Sequence, residues 1–279
     1  MAIALGPPAA PEAWRHPAFE PLRPWLQQLQ ASPDIARLNE LAAASPRPPV
    51  TQSGQPVRFC VPEGSGAAHY ERRIFETGQV STRPGNLHDL FNALAWIAFP
   101  RLKAAINARH VARLEAEEGA RSPLRDLLTL VDEGGVIVAC TAEALTEVEG
   151  AIRDFRWQAL FWDRRAGLLR DTRVLLVGHS AYEKALAPYP GITCKALFIR
   201  TPEARLAGPH AALVDWVEGE AAAWVDGLSE DARPRQMPPL PVFGYPGWLP
   251  DSTGPEFYAD RRWFRPGRVE SLSTRPDSV

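Results

Sequence analysis

The segment NLHDLFNALAWIAFPRLKAAINARH, from Asn86 to His110, constrains this chain more than any other. His88, Asn92, Trp96, Phe99, Lys103, Asn107 and His110 recur in it at intervals of four, four, three, four, four and three. On a helix turning about 100° per residue they fall within an arc of roughly 100°. One face thus gathers two imidazoles, two amides and an ammonium. Asn and His are poor helix formers, and an ordinary wet face carries Glu, Lys and Arg, so their presence points to a site or to a buried hydrogen-bond network. Asn86 caps the start, with Asp89 three residues on as its capping-box partner near the positive end of the dipole. Pro100 sets the second constraint. Its ring meets the Trp96 carbonyl and it donates no hydrogen bond, so the helix kinks there or ends near Ala98 and restarts at Pro100. A break divides the stripe into one face with His88, Asp89 and Asn92 and another with Lys103, Asn107 and His110.

The rest of the chain reads as follows. Residues 1–24 form a proline-rich arm carrying Trp14 and Phe19, expected to pack without regular structure. A helix is expected from Trp25 to Ala43, a loop from Ser45 to Pro56, and a strand at Val57 to Val61. Tyr70 to Val80 fits a helical turn or a second strand. Helical character runs from Arg101 to Glu118, and again from Pro123 to Val131. Asp132-Glu133-Gly134-Gly135 reads as a turn into a buried strand, Val136 to Cys140. Thr141 opens a helix expected to reach Arg164, strands follow at Val174 to Val177 and Lys195 to Ile199, and Ser180 opens a short helix between them. Thr201-Pro202-Glu203 has the composition of a helix start, and a further helix spans His210 to Leu228. Arg233 to Gly267 is irregular and aromatic, and residues 269–279 form a loose tail.

The expected fold class is α/β, a helical N-terminal half followed by alternating strands and helices with a small, partly parallel sheet. Its helical first half makes α+β the alternative. Residues 25–268 are read as a single globular domain.

Composition narrows the partners. With 279 residues and 45% hydrophobic content, the chain can bury one substantial core. A formal net charge of −2 gives no global reason to bind nucleic acid or anionic lipid. Cys60, Cys140 and Cys194 are far apart and form no CxxC pair, which argues against a disulfide framework and fits a reducing cytoplasm. No apolar run approaches the roughly 18 residues a spanning helix needs, and the N-terminal prolines suit a signal peptide poorly.

Several motifs resemble the bacterial family known as domain of unknown function 3025. They are Gly54 to Phe59, Tyr70-Glu71, Gly78 to Arg83, and above all Asn86 to His110. The likeness continues through Gly178-His179, Glu183-Lys184, Phe243 to Trp248, Phe257-Tyr258 and Phe264 to Arg268. Leu87 departs from the Trp that members usually carry there, a change of packing more than of chemistry. The resemblance brings no activity with it. Some members have been labelled membrane proteins, which the hydropathy here does not support.

For chemistry, the stripe offers His88 and His110 as metal ligands or acid/base groups. Lys103 would stabilise developing negative charge, and Asn92 and Asn107 would orient an anionic or amide-bearing substrate. The two histidines are about 33 Å apart along a straight helix, too far to share one ion unless the segment folds back. Gly178-His179-Ser180-Ala181-Tyr182 suggests a nucleophile elbow, but Tyr182 replaces the second glycine, and a Ser180 to Glu183 capping box accounts for both residues. His179 lies at the carboxyl end of a strand, the usual ligand-facing edge, where Glu183 could join it in a metal pair. Asp89 and Asp132-Glu133 could serve a divalent ion, although cap and turn roles suit them better and no HExxH set occurs. Arg261, Arg262, Arg265 and Arg268, with Trp263 and Phe264, form a basic-aromatic cluster suited to a nucleotide or RNA phosphate, or to internal ion pairing.

Three functional readings follow. The first is a cytosolic hydrolase acting on a small anionic substrate, where the stripe and the Gly178-His179 turn converge and His179 or His88 is base or metal ligand. The second is a binding or scaffold protein whose stripe is a structural network. The third is nucleotide or RNA binding through the arginine cluster. No motif specifies a cofactor or an oligomeric state.

Overall fold

In the computed structural model, which describes residues 12–29, 34–62, 67–116, 122–250 and 252–267, the N-terminal arm is wound rather than irregular. Two 3-10 turns, Ala13–Arg15 and Pro17–Leu22, lead into α1 (Arg23–Leu26). Phe19, Leu22 and Leu26 are fully buried, so the arm belongs to the core. The single helix expected over Trp25 to Ala43 is divided, because α2 (Ile35–Ala44) begins at an Asp34 cap that accepts the Arg37 N–H at 2.8 Å. Residues 1–11 and the 269–279 tail lie outside the described residues.

The ambiguous stretch at Tyr70 to Val80 holds both elements. β1 (Arg58–Cys60), α3 (Ala67–Thr77) and β2 (Gln79–Ser81) form a unit in which the two strands pair in parallel. Gly78 makes the α3 to β2 turn at φ +71°, and a Cβ there would collide with the Pro56 carbonyl. Pro100 does end a helix: α4 (Leu87–Ala98) closes at Phe99, with φ −130° and ψ 56°, and α5 (Pro100–Ala116) restarts with the proline in its first turn.

The turn expected at Asp132 to Gly135 is absent. α6 (Pro123–Gly134), capped by Ser122, runs directly into β3 (Gly135–Cys140), since Gly135 takes extended angles while its N–H still closes on the Val131 carbonyl. α7 (Ala142–Arg153) stops well short of Arg164. Phe155 adopts φ 57°, and the N–H groups of Phe155 and Arg156 close on the carbonyls of Ile152 and Ala151, a left-handed stop made without the customary glycine. A π-helical turn, Ala159–Asp163, and α8 (Arg165–Asp171) follow.

β4 (Thr172–Leu176), α9 (His179–Ala185), β5 (Cys194–Arg200), α10 (Glu203–Leu206), α11 (His210–Asp226), β6 (Pro239–Leu240) and α12 (Pro255–Ala259) complete the chain. Thr201 does not cap α10; its hydroxyl donates back to the Ile199 carbonyl. The larger sheet runs β4-β3-β5-β6, with β3 and β5 parallel and both outer pairings antiparallel. The fold is therefore α/β, with a helical first half and a small, partly parallel sheet. The aromatic C-terminal segment covers this core with Phe243, Tyr245, Trp248, Tyr258 and Phe264 all buried. Among the described residues no helix is long and apolar enough to cross a membrane.

Two contacts fix where α9 begins. Phe19 of the arm, Phe91 of α4 and Tyr182 of α9 form a closed aromatic triangle with centroids 5.8 to 5.9 Å apart. Gly178, just before α9, lies so close to the α6–β3 junction that a Cβ would stand 2.5 Å from the backbone nitrogens of Gly134 and Gly135. Gly178→Ala is expected to lower the unfolding free energy by about 1–3 kcal/mol, as forced overpacking does, measurable as a reduced denaturant midpoint.

Candidate metal centre and its cleft

The antiparallel register of β3 and β4 pairs Val136 with Leu176 and Ile137 with Leu175. Continued past the strand end, it sets Gly134 against Gly178 and Glu133 against His179. The N–H groups of Val177 and Gly178 reach the Gly135 carbonyl at 3.1 and 3.0 Å, which holds that continuation in place. The last turn of α6 therefore meets the first turn of α9. His179 Nε2 lies 3.5 Å from Glu133 Oε1, and its Nδ1 lies 3.7 Å from Asp132 Oδ2.

His88 arrives from the first turn of α4. Its Nε2 is 3.1 Å from His179 Nε2 and 4.0 Å from Glu133 Oε1. Glu183, one turn along α9, stands 3.3 Å from His88 Nδ1. This corrects the capping box expected of Ser180 and Glu183: α9 starts at His179, no side chain caps it, and Ser180 already lies within the first turn. Glu183 faces α4 instead.

Each imidazole thus has a carboxylate behind its Nδ1 and turns its Nε2 toward the other. Two imidazole nitrogens 3.1 Å apart, with the Glu133 carboxylate on a third side, form a set of three donors that one cation could share. Ligands bonded at ~2.0–2.1 Å to one tetrahedral zinc stand roughly 3.3–3.4 Å apart. The three separations, 3.1, 3.5 and 4.0 Å, bracket that spacing.

The triad sits at one end of a cavity of about 470 Å³ whose other walls include Tyr70, Glu71, Asn92, His110, Arg125 and Asp132. Lys103 is 5% exposed and pairs with Asp132, while its Nζ donates to Asn92 Oδ1 at 2.8 Å and lies 5.5 Å from the Trp96 ring centre. Asn92 Nδ2 in turn donates to the Tyr70 hydroxyl at 3.0 Å. Asn107 Nδ2 donates to Glu71 Oε2 at 2.7 Å and to its carbonyl at 2.9 Å. Both stripe halves hence serve one cleft despite the break at Phe99. His88, Asn92 and His110 line it, whereas Lys103 and Asn107 hold its wall from behind.

Charge is graded along the cleft. Burial disfavours the Asp132 carboxylate, but Lys103 foremost, with His179 and His110, holds its pKa below the ordinary range. Glu133 is likewise lowered, burial being outweighed by its hydrogen bond to His179 and the nearby His88. Glu71 goes the other way. Burial, reinforced by the Asp132 charge, pushes it up to about 7 against the opposing Asn107 hydrogen bond and the Lys103 and Arg125 charges.

Other sequence candidates have different surroundings. The Asp89 backbone N–H donates to the Asn86 cap, and its carboxylate is held by the Arg83 backbone N–H at 2.7 Å and the guanidinium at 2.8 Å, which lowers its pKa despite burial. Arg262 forms an ion pair with Asp260 in its own turn. Arg261 and Arg265 are exposed and stand apart from the cleft lining, and Arg268 lies outside the described residues. Glu71 is the site residue that sequence reading missed. Glu133 reads there as a possible ligand of a divalent ion with a turn role preferred, and only the strand register, invisible until β3 and β4 are paired, sets it opposite His179.

The match to known families runs over residues 57–268, to the model described as protein of unknown function, DUF3025. The chain belongs to the DUF3025 family. No curated protein and no solved structure matches. Both triad histidines, Glu133 and Glu71 lie within the DUF3025 region.

Because Glu71 keeps its proton in the folded chain where an unfolded chain would release it, its stabilising contribution is present below its ordinary 4.5 and is lost as pH rises through about 7. Wild type is expected to be more stable relative to Glu71→Gln at about pH 5 than at about pH 8, as read from paired denaturant melts.

Proposed function

We propose that this DUF3025 protein is a cytoplasmic, metal-dependent hydrolase acting on a small anionic substrate in the His88–His179 cleft. The observation that carries the reading is the convergence of His88 Nε2, His179 Nε2 and a Glu133 oxygen within 4.8 Å of one another. Two imidazoles and one carboxylate are the donors of catalytic zinc sites that keep a fourth position open for water. A divalent ion there would both polarise a substrate oxygen and supply hydroxide near neutral pH. The same donors also serve ferrous iron, so metal analysis separates the two chemistries. Glu183 and Asp132 take the supporting role that carboxylates commonly play behind metal-bound histidines. Arg83 and Arg125 on the cleft wall support an anionic substrate. Cys140 and Cys194, buried as thiols, support a reducing compartment.

The Tyr70–Asn92–Lys103–Asp132 chain supports a division of labour within the stripe. Asn92→Ala leaves buried donors and acceptors unpaired and is expected to destabilise by about 1–3 kcal/mol. His88→Ala, at a half-exposed ligand position, is expected to change stability by less than about 0.5 kcal/mol, with thermal unfolding as the readout.

Elemental analysis of the purified protein is expected to find about one transition-metal ion per chain, as one closed triad of this type requires. His179→Ala should abolish that uptake, and Glu183→Gln should weaken it by roughly 10- to 100-fold, as loss of an outer carboxylate does. A wild-type protein that takes up no zinc or iron in titration calorimetry overturns the reading.

A further inference from the structure

The inner wall of the cleft contains a carboxyl group that the metal reading leaves unused. Glu71 projects from α3 between α5 and α6, and both its carbonyl and its Oε2 are fixed by Asn107. Asn107 is itself 2% exposed, so the Glu71 carboxyl is anchored from within the wall. The charged and titratable groups facing it are Tyr70 on its own helix, Lys103 on α5, and Arg125 and Asp132 on α6, with His110 of α5 on the same cavity wall. Lys103 makes its ion pair with Asp132 and donates to Asn92, so its charge opposes the rise of Glu71 only from a distance.

Glu71 lines the same cavity as the His88–His179–Glu133 triad, anchored there by Asn107, and burial pushes it up to about 7. A carboxyl so placed can serve a site as its resident acid.

We propose that Glu71 is the general acid of this cleft and that the wall around it is a leaving-group subsite, which selects esters whose leaving group is an alkoxide. The inference rests on the hydrolase reading above. In the step, hydroxide formed at the metal end bonds to the electrophilic centre. The bond to the leaving oxygen breaks with its electron pair, and the Glu71 proton moves onto that oxygen. The carboxylate left behind regains the proton released when the attacking water ionised. An aryl oxide with electron-withdrawing groups departs without that proton, whereas an alkoxide does not.

The test uses the zinc-loaded full chain with acetate and phosphate esters of 4-nitrophenol and of ethanol. Glu71→Gln preserves size and an acceptor for Asn107. It is expected to lower kcat/KM for the ethyl esters by roughly 10²-fold or more, the scale of a lost general acid, while nitrophenyl esters change by less than about tenfold. The fall in ethyl-ester activity above pH of about 7 should disappear in the variant, and Glu71→Asp should restore part of it. An infrared difference titration, wild type against Glu71→Gln, should show a protonated carboxyl persisting above about pH 6. Equal losses on both ester classes, or a Glu71 carboxyl already ionised at about pH 5, overturns the Glu71 role alone. Metal uptake without cleavage of any ester in wild type, or uptake of neither zinc nor iron, overturns the hydrolase reading and this role with it.

Discussion

The aromatic triangle of Phe19, Phe91 and Tyr182 is the contact on which the candidate site depends. In α4 and in α9 the ring lies three residues after the histidine, on the same helix face one turn deeper. Stacking Phe91 on Tyr182 therefore brings His88 and His179 together, and Phe19 of the N-terminal arm closes the third side. The Tyr182 hydroxyl, buried in this cluster, donates to the Leu176 carbonyl and ties α9 back to the end of β4. Packing of apolar rings thus sets the distance between two polar groups that would not hold that distance by themselves.

Behind the second half of the cleft, hydrogen bonding takes over from packing. Lys103 is an ammonium in a nearly dry setting, and such a charge is tolerated only when paired and fully bonded. Asp132 and Asn92 meet that demand, and Tyr70 extends the chain. The arrangement has an electrostatic consequence for its neighbours, because a carboxylate kept ionised by Lys103 raises the cost of a second negative charge at Glu71.

Much of this was legible in the sequence where the signal is local. The spacing in Asn86 to His110 located the segment, the proline rule located the break, and continuous apolar runs located β3, β4 and β5. What failed was wherever a tertiary contact replaced a local device. Phe155 ends α7 in a left-handed conformation that composition assigns to glycine, and Gly134-Gly135, which resembles a turn, joins helix to strand without one. The same misreading ranks a turn role for Glu133 above a ligand role. A Ser180 cap accounts for Glu183 by sequence, yet the helix begins two residues earlier than that cap requires, and Pro100 divides the stripe by sequence, yet Lys103 reaches back to Asn92.

The direct passage from α6 into β3 has a thermodynamic corollary. Glu133 rides on the final turn of a helix welded to a fully buried strand, while His88 and His179 stand on the opening turns of two others. None of the three donors hangs on a loop whose freedom an ion would have to remove. Small zinc modules fold only when the ion arrives, because their ligands are scattered in the unfolded chain. Here the donor set is a by-product of the fold itself, so an ion bound there would be a guest of an already assembled receptor rather than a component of its architecture.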